Sequence, residues 1–63
     1  MRIDDKKLQI AMARKCWTFD NLALATGISR AALHYQRRAK RVQPATVGKI
    51  AKALGVDVIE IVT

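Results

Sequence analysis

The sequence predicts an all-α fold, a compact bundle of about five short helices, on three observations. The chain is only 63 residues long, so it forms a single domain, residues 1–63. Of these residues 51% are apolar but only three are aromatic, so aliphatic side chains must form the core, which suits close-packed short helices. Gly27, Pro44 and Gly55 stand where helices can end or begin.

The first helix is predicted over residues 6–15, after a cap formed by Asp4 or Asp5. Apolar residues at helical spacing give it a narrow stripe, made by Leu8, Ala11 and Met12. Trp17 follows this helix, and we expect its large ring to lie in the core.

The second helix, Phe19–Thr26, is predicted to begin after the N-cap Thr18 and to end at Gly27. Asn21 occupies the third helical position, where a capping box prefers Glu or Gln, so we expect this box to be incomplete. The side chains expected to point partly inward are Leu22, Ala23 and Ala25.

The third helix is predicted over Arg30–Arg38, with Ser29 as its N-cap and Leu33 as its one clear core residue. Pro44 suits the first position of a fourth helix, Pro44–Leu54, because the N–H that it lacks is not needed there. This helix has the strongest apolar periodicity in the chain, at Val47, Ile50, Ala51 and Leu54.

The last segment, residues 56–62, alternates well enough to form a strand. A lone strand would have no partner in this chain, so we predict instead a short helix or turn over residues 58–62, capped by Asp57.

The charge distribution gives the first indication of function. The formal net charge is +7, and residues 21–56 contain no acid at all. Such a stretch repels itself, so a polyanionic partner is the simplest explanation, and a solubilising surface is the alternative. The bases in this stretch are Arg30, Arg37, Arg38, Lys40, Arg41, Lys49 and Lys52.

The second and third predicted helices have the spacing of a helix-turn-helix unit. Ala23 is small where the two helices approach, Gly27 tolerates the turn, and Leu33 anchors the second helix of the pair in the core. With Ser29 as the cap and bases behind it, this spacing indicates that residues 29–38 form the helix that enters the major groove of duplex DNA.

Nearly the whole chain resembles the phage-repressor and Cro-like helix-turn-helix regulators, the Cro/C1-type or XRE family. The resemblance implies a bundle of about five helices that binds operator DNA, usually as a dimer, and regulates transcription. It rests on Leu8, residues 18–23, residues 27–30, Leu33, Lys40, Arg41 and residues 46–56.

The same resemblance implies roles for particular residues. Arg30 and Ala31 open the recognition helix, where family members contact base edges. Tyr35, one turn further along, lies where the family often has another side chain that contacts a base or a phosphate, and we expect it to contact a base. Arg30 suits two parallel hydrogen bonds to guanine O6 and N7, and Ala31 or Ala32 can offer a methyl group to the methyl of thymine. The residues implied to contact phosphates are Thr18, Phe19, Ser29, Arg38, Lys40 and Arg41.

Four positions depart from the family pattern. Phe19 replaces a polar residue, often Gln, and Gln36 replaces an aliphatic core residue. Arg37 stands where many members carry Glu, and Ala39 replaces the usual Gly after the recognition helix. We therefore expect the second half of this helix to pack or end differently from the family pattern, as an exit that faces phosphates.

Other classes of function have weaker signals. The sequence has no paired carboxylates, nucleophile–base pair, phosphate-binding glycine loop or metal-ligand cluster, so we expect no enzyme activity, cofactor, metal or small-molecule ligand. No stretch approaches the roughly 18 apolar residues of a membrane span, and one cysteine fits a reducing compartment, so we expect a cytoplasmic protein with no membrane partner.

A protein-interaction module, such as an antitoxin-like or accessory partner, is the main alternative to a DNA-binding regulator. A helix as short as the last one cannot bury all of its apolar residues on one side. Its leftover apolar surface predicts either a homodimer through Ile59 and Val62 or docking to another protein.

Overall fold

The computed structural model describes residues 1–63 and confirms the all-α prediction. Its four α-helices are α1 (Asp5–Arg14), α2 (Phe19–Thr26), α3 (Arg30–Arg38) and α4 (Pro44–Leu54). The expected fifth helix is a single 3-10 turn, Val58–Glu60. The turn begins three residues after Gly55, and it cannot extend further because residues 61–63 pair with the start of the chain.

Every predicted side-chain cap is present. Asp4 accepts a hydrogen bond from the backbone N–H of Lys7, and Ser29 accepts one from that of Ala32, both at 3.1 Å. Asp57 caps the 3-10 turn by accepting from the N–H of Ile59 at 3.0 Å. These caps satisfy N–H groups that have no partner within a helix.

The expectation of an incomplete capping box at α2 is wrong. The hydroxyl of Thr18 accepts from the N–H of Asn21 at 3.3 Å, and Oδ1 of Asn21 accepts from the N–H of Thr18 at 2.9 Å. An Asn side chain is shorter than Glu or Gln, but its amide oxygen still reaches the cap backbone here. Both ends of the box are therefore closed.

The helix ends explain one departure from the family pattern. Gly27 ends α2 in the left-handed conformation, with φ of 72°. Ala39 ends α3 in an extended conformation, with φ of −66° and ψ of 140°. Because the chain leaves α3 without a left-handed residue, no glycine is needed at position 39.

The core is aliphatic, as predicted, and α2 packs mainly against α4 and α3. Leu22, Val47 and Ile61 are fully buried. Trp17 is only half-buried at the edge of the core, where Nζ of Lys15 lies 4.6 Å from the centre of its ring. The buried apolar residues are Ile3, Leu8, Ala11, Met12, Leu22, Leu33, Val42, Val47, Ile50, Ala51, Leu54 and Ile61.

One face of α2 differs from the prediction. Ala25 is exposed, whereas Thr26 is buried and its hydroxyl donates to the carbonyl of Leu22 at 2.8 Å. This internal hydrogen bond satisfies a hydroxyl that would otherwise be costly to bury. The inward face of α2 therefore passes through Leu22, Ala23 and Thr26.

The last segment forms the predicted short turn, but the premise that it has no β-pairing partner in the chain is wrong. Val62 forms an isolated antiparallel β-bridge with Ile3. The N–H of Asp4 donates to Ile61 at 2.9 Å, and the N–H of Thr63 donates to Arg2 at 3.1 Å. The partner lies almost the full length of the chain away, so local alternation could not reveal it.

Candidate nucleic-acid interface

The helix-turn-helix unit is formed by α2, the turn at residues 27–29, and α3. Ala23 is half-buried between the helices, and Leu33 anchors α3 with 2% of its surface exposed. Gly27 supplies the turn and Ser29 the cap, at the positions predicted for them. The helix-turn-helix unit therefore uses the residues that the sequence predicted for it.

The outward face of α3 carries Ala31, Tyr35 and Arg38, which are all exposed. Their spacing in the helix places them on one side, opposite Leu33. Tyr35 has 69% of its surface exposed, so its ring and hydroxyl are free to meet a partner. Two of the predicted base contacts, Ala31 and Tyr35, therefore share one open surface.

The third predicted base contact, Arg30, lies at the first position of α3 and is exposed. Its Nε lies 3.1 Å from Oδ1 of Asp20, in the first turn of α2. The sequence analysis did not anticipate this ion pair. The two charges lie on different helices, so no pattern within α2 or α3 alone predicts that they pair.

The predicted phosphate contacts other than Phe19 are open to solvent. Ser29, Arg38, Lys40 and Arg41 are exposed along the start and exit of α3, and Thr18 is exposed before α2. The ring of Phe19 instead packs inward, with its centre 4.6 Å from that of His34. Phe19 could therefore meet a phosphate only through its backbone N–H, in the first turn of α2.

Arg37 has a different place from the one expected for it. It is half-buried, Nη2 donates to Oδ2 of Asp5 at 3.3 Å, and the guanidinium carbon lies 5.3 Å from the centre of the Phe19 ring. Nε is only 2.7 Å from Oδ1 of Asp5 but is not aligned for a hydrogen bond. The prediction that this whole end of α3 faces phosphates is therefore wrong at Arg37.

Every acid of the chain either caps a helical segment or pairs with an arginine, so the positive charges without an acidic partner lie elsewhere. Asp4 and Asp57 cap helical segments, and the other acids form ion pairs with arginines: Asp5 with Arg37, Asp20 with Arg30, and Glu60 with Arg14. The bases after Arg37 have no acidic partner, and they are Arg38, Lys40, Arg41, Lys49 and Lys52.

The contacts of Glu60 lower the pKa of its carboxyl group. Its carboxylate accepts a hydrogen bond from the backbone N–H of Asp57 at 3.0 Å and another from Arg14 at 3.1 Å. These contacts, the first more than the second, lower the pKa of Glu60 below its ordinary 4.5. This exposed carboxylate belongs to the C-terminal 3-10 turn and does not belong to the helix-turn-helix surface.

No set of three or more His, Cys, Asp or Glu residues is arranged to hold a metal ion. The one pocket is a shallow groove of about 190 Å³ between α1 and the 3-10 turn, lined by Lys7, Ile10, Ala11, Arg14 and Glu60. None of the helices has both the length and the apolar character needed to cross a bilayer.

An all-α bundle with a helix-turn-helix unit whose outer helix is exposed and flanked by free bases defines the class of helix-turn-helix DNA-binding domains. Residues 7–63 match the family described as the Cro/C1-type HTH DNA-binding domain, and the chain belongs to this family. No curated protein and no solved structure matches the chain.

Proposed function

We propose that the chain is a sequence-specific transcriptional regulator that inserts α3 into the major groove of duplex DNA. The observation that carries this proposal is the open outward face of α3, bordered by bases that no acid neutralises. The family to which the chain belongs is described as a DNA-binding domain, and this surface has the positive charge that favours binding to DNA phosphates.

The proposal divides the surface into two roles. Arg30, Ala31 and Tyr35 contact base edges and set the sequence preference. Contacts to the sugar–phosphate backbone fix the position of α3 in the groove and supply most of the salt-dependent affinity. The phosphate contacts are Thr18, the backbone of Phe19, Ser29, Arg38, Lys40 and Arg41.

The test begins with selection of a preferred site from random duplexes, followed by affinity measurements on that site and on random DNA across a salt series. We expect a clear preference for the selected site and a steep loss of affinity with salt. Equal affinity for both duplexes would contradict sequence-specific binding, and a flat salt response would contradict the phosphate contacts.

Two matched variants separate the two roles, because each removes one positive charge. Arg30→Ala should cost about 1–3 kcal/mol on the selected site and relax the preference at one base pair. Lys40→Ala should weaken binding to all sequences alike and reduce the salt slope by about 1. An unchanged base preference in Arg30→Ala would show that α3 lies in the groove in another register.

We also propose that the regulator forms a homodimer through the C-terminal segment. Ile59 is 72% exposed and Ile10 on α1 is 50% exposed, beside the shallow groove that Glu60 lines. Val62 is half-buried and paired with Ile3, and Ile61 is in the core. Ile59, rather than Val62, would carry the apolar contact.

Analytical ultracentrifugation tests the dimer. We expect concentration-dependent association of the unmodified chain and a monomer for Ile59→Glu, with Leu24→Glu on α2 as the control, since Leu24 is 84% exposed elsewhere on the surface. A monomer at all concentrations would contradict the dimer. Association with a different protein through Ile59 would instead favour the protein-interaction alternative.

A further inference from the structure

Asp20 is an unusual residue for its surroundings. It is the only acid between Lys6 and Val56, and it lies in the first turn of α2, beside the surface proposed to face DNA. Its Oδ1 is 3.1 Å from Nε of Arg30, the first residue of α3. An acid at this place repels phosphates, so it lowers the general affinity for DNA.

The ion pair has little value for folding. The side chains of Arg30 and Asp20 are 62% and 66% exposed, and such pairs contribute little because water and salt screen them. Asp20 also interacts favourably with the positive end of the α2 dipole, but an acid elsewhere in the first turn would do so without contacting Arg30. The particular contact with the guanidinium therefore calls for another explanation.

We propose that Asp20 is a positioning residue that sets sequence preference through Arg30, an inference that rests on the proposed function. The closest contact is to Nε, and a pair at that nitrogen does not require either terminal amino group. Those two groups can donate in parallel to guanine O6 and N7. Asp20 thus narrows the orientations of a flexible side chain to those that point its terminal groups away from α2.

The negative charge of Asp20 has a second effect on the same side chain. It partly neutralises Arg30, which weakens the attraction of this arginine to any nearby phosphate. Recognition of a guanine edge depends on two directed hydrogen bonds and hence on the orientation of the guanidinium, whereas the attraction to a phosphate depends most on the net charge of the arginine. Asp20 therefore lowers the affinity for DNA of any sequence and increases discrimination at one base pair.

The experiment compares Asp20→Asn with Asp4→Asn in the full chain, on the selected site, on sites altered at the base pair that depends on Arg30, and on random DNA. Both variants add one unit of net charge. Asn is as good an N-cap as Asp, so Asp4→Asn keeps the α1 cap and serves as the charge control. A thermal melt of each variant verifies the fold.

We expect Asp20→Asn to bind random DNA more tightly and to lose discrimination at that base pair by about two- to threefold, the size of effect that an exposed ion pair can supply. Asp4→Asn should change affinity for every duplex by the same factor. In an Arg30→Ala background, Asp20→Asn should cause no further loss of discrimination. Asp20→Ser, which also suits a first turn, should reproduce the loss.

Three results would overturn the inference. Discrimination could survive in both Asp20 variants, it could fall by the same factor in the Arg30→Ala background, or the preference of the unmodified chain could prove independent of Arg30. Each of these leaves sequence-specific binding intact. Lack of any sequence preference in the unmodified chain would overturn the proposed function together with the inference.

Discussion

The two ends of α3 use arginine in opposite ways. At the start, Arg30 pairs with Asp20 in the first turn of α2, and both side chains are mostly exposed. At the other end, Arg37 pairs with Asp5 in the first turn of α1, where the exposed fractions are 24% and 41%. The same kind of ion pair therefore lies on the open surface in one case and against the protein in the other.

The surroundings of each end of α3 explain this difference, because Arg30 and Arg37 are seven residues apart and so lie on the same side of the helix. Arg37 follows Leu33 by one turn and lies next to Phe19 and His34, where α1 supplies Asp5. Arg30 is the first residue of α3 and meets only the exposed Asp20 in the first turn of α2. The comparison shows that a basic residue in a recognition helix cannot be assigned to DNA from its charge alone, because its position on the helix decides what it contacts.

The largest effect is expected for Arg37→Ala, which should lower the free energy of unfolding by about 1–2 kcal/mol. The change removes a partly exposed ion pair, a cation–π contact with Phe19 and the packing of the arginine stem. Urea denaturation measures the change. Arg38→Ala removes the same charge from the exposed side and should stay within about 0.5 kcal/mol. Equal free energies of unfolding for Arg37→Ala and Arg38→Ala would contradict a structural role for Arg37.

A smaller effect on stability is expected for Arg30→Ala, within about 0.5 kcal/mol, because its ion pair is exposed and screened. The same urea titration compares it with Arg37→Ala. In high salt, where the exposed pair no longer contributes, the variant and the unmodified chain should unfold at the same urea concentration. A loss as large as that of Arg37→Ala would mean that Arg30 has a structural role.

The smallest effect is expected for the third ion pair, between Arg14 and Glu60. Because the pKa of Glu60 is lower in the folded state, its contribution is complete above pH 4.5 and is lost as the pH falls through the lowered value. An NMR titration of the Glu60 carboxyl carbon should give a midpoint below 4.5. Arg14→Gln should move that midpoint only part of the way back, because the N–H of Asp57 remains.

Local signals were sufficient for the helices and for their ends. Thr18, Ser29 and Asp57 cap as predicted, and Gly27 and Gly55 adopt the left-handed conformation as expected. These features depend on a few neighbouring residues, so the sequence contains all the information. The capping box at Asn21 was misjudged because residue preference is a statistical guide, whereas the contact depends on the reach of one side chain.

Contacts between distant residues could not be predicted in the same way. Ile3, Val42 and Ile61 are buried core residues outside the α-helices, where no periodicity marks them. The pairs of Arg30 with Asp20 and of Arg37 with Asp5 join different helices. The spacing and the resemblance located the helix-turn-helix surface, but the division of its arginines became visible only once the helices were packed.

The first residues of the chain connect two segments that are far apart in sequence. Met1 exchanges backbone hydrogen bonds with Val42, between α3 and α4, while residues 2–4 bond to residues 61–63. Opening this region would release both segments together, so the amide hydrogens of Val42 and Thr63 should show matched protection factors in deuterium exchange, as one cooperative unit. The loop that carries Lys40 and Arg41 thereby shares the local stability of the two chain termini.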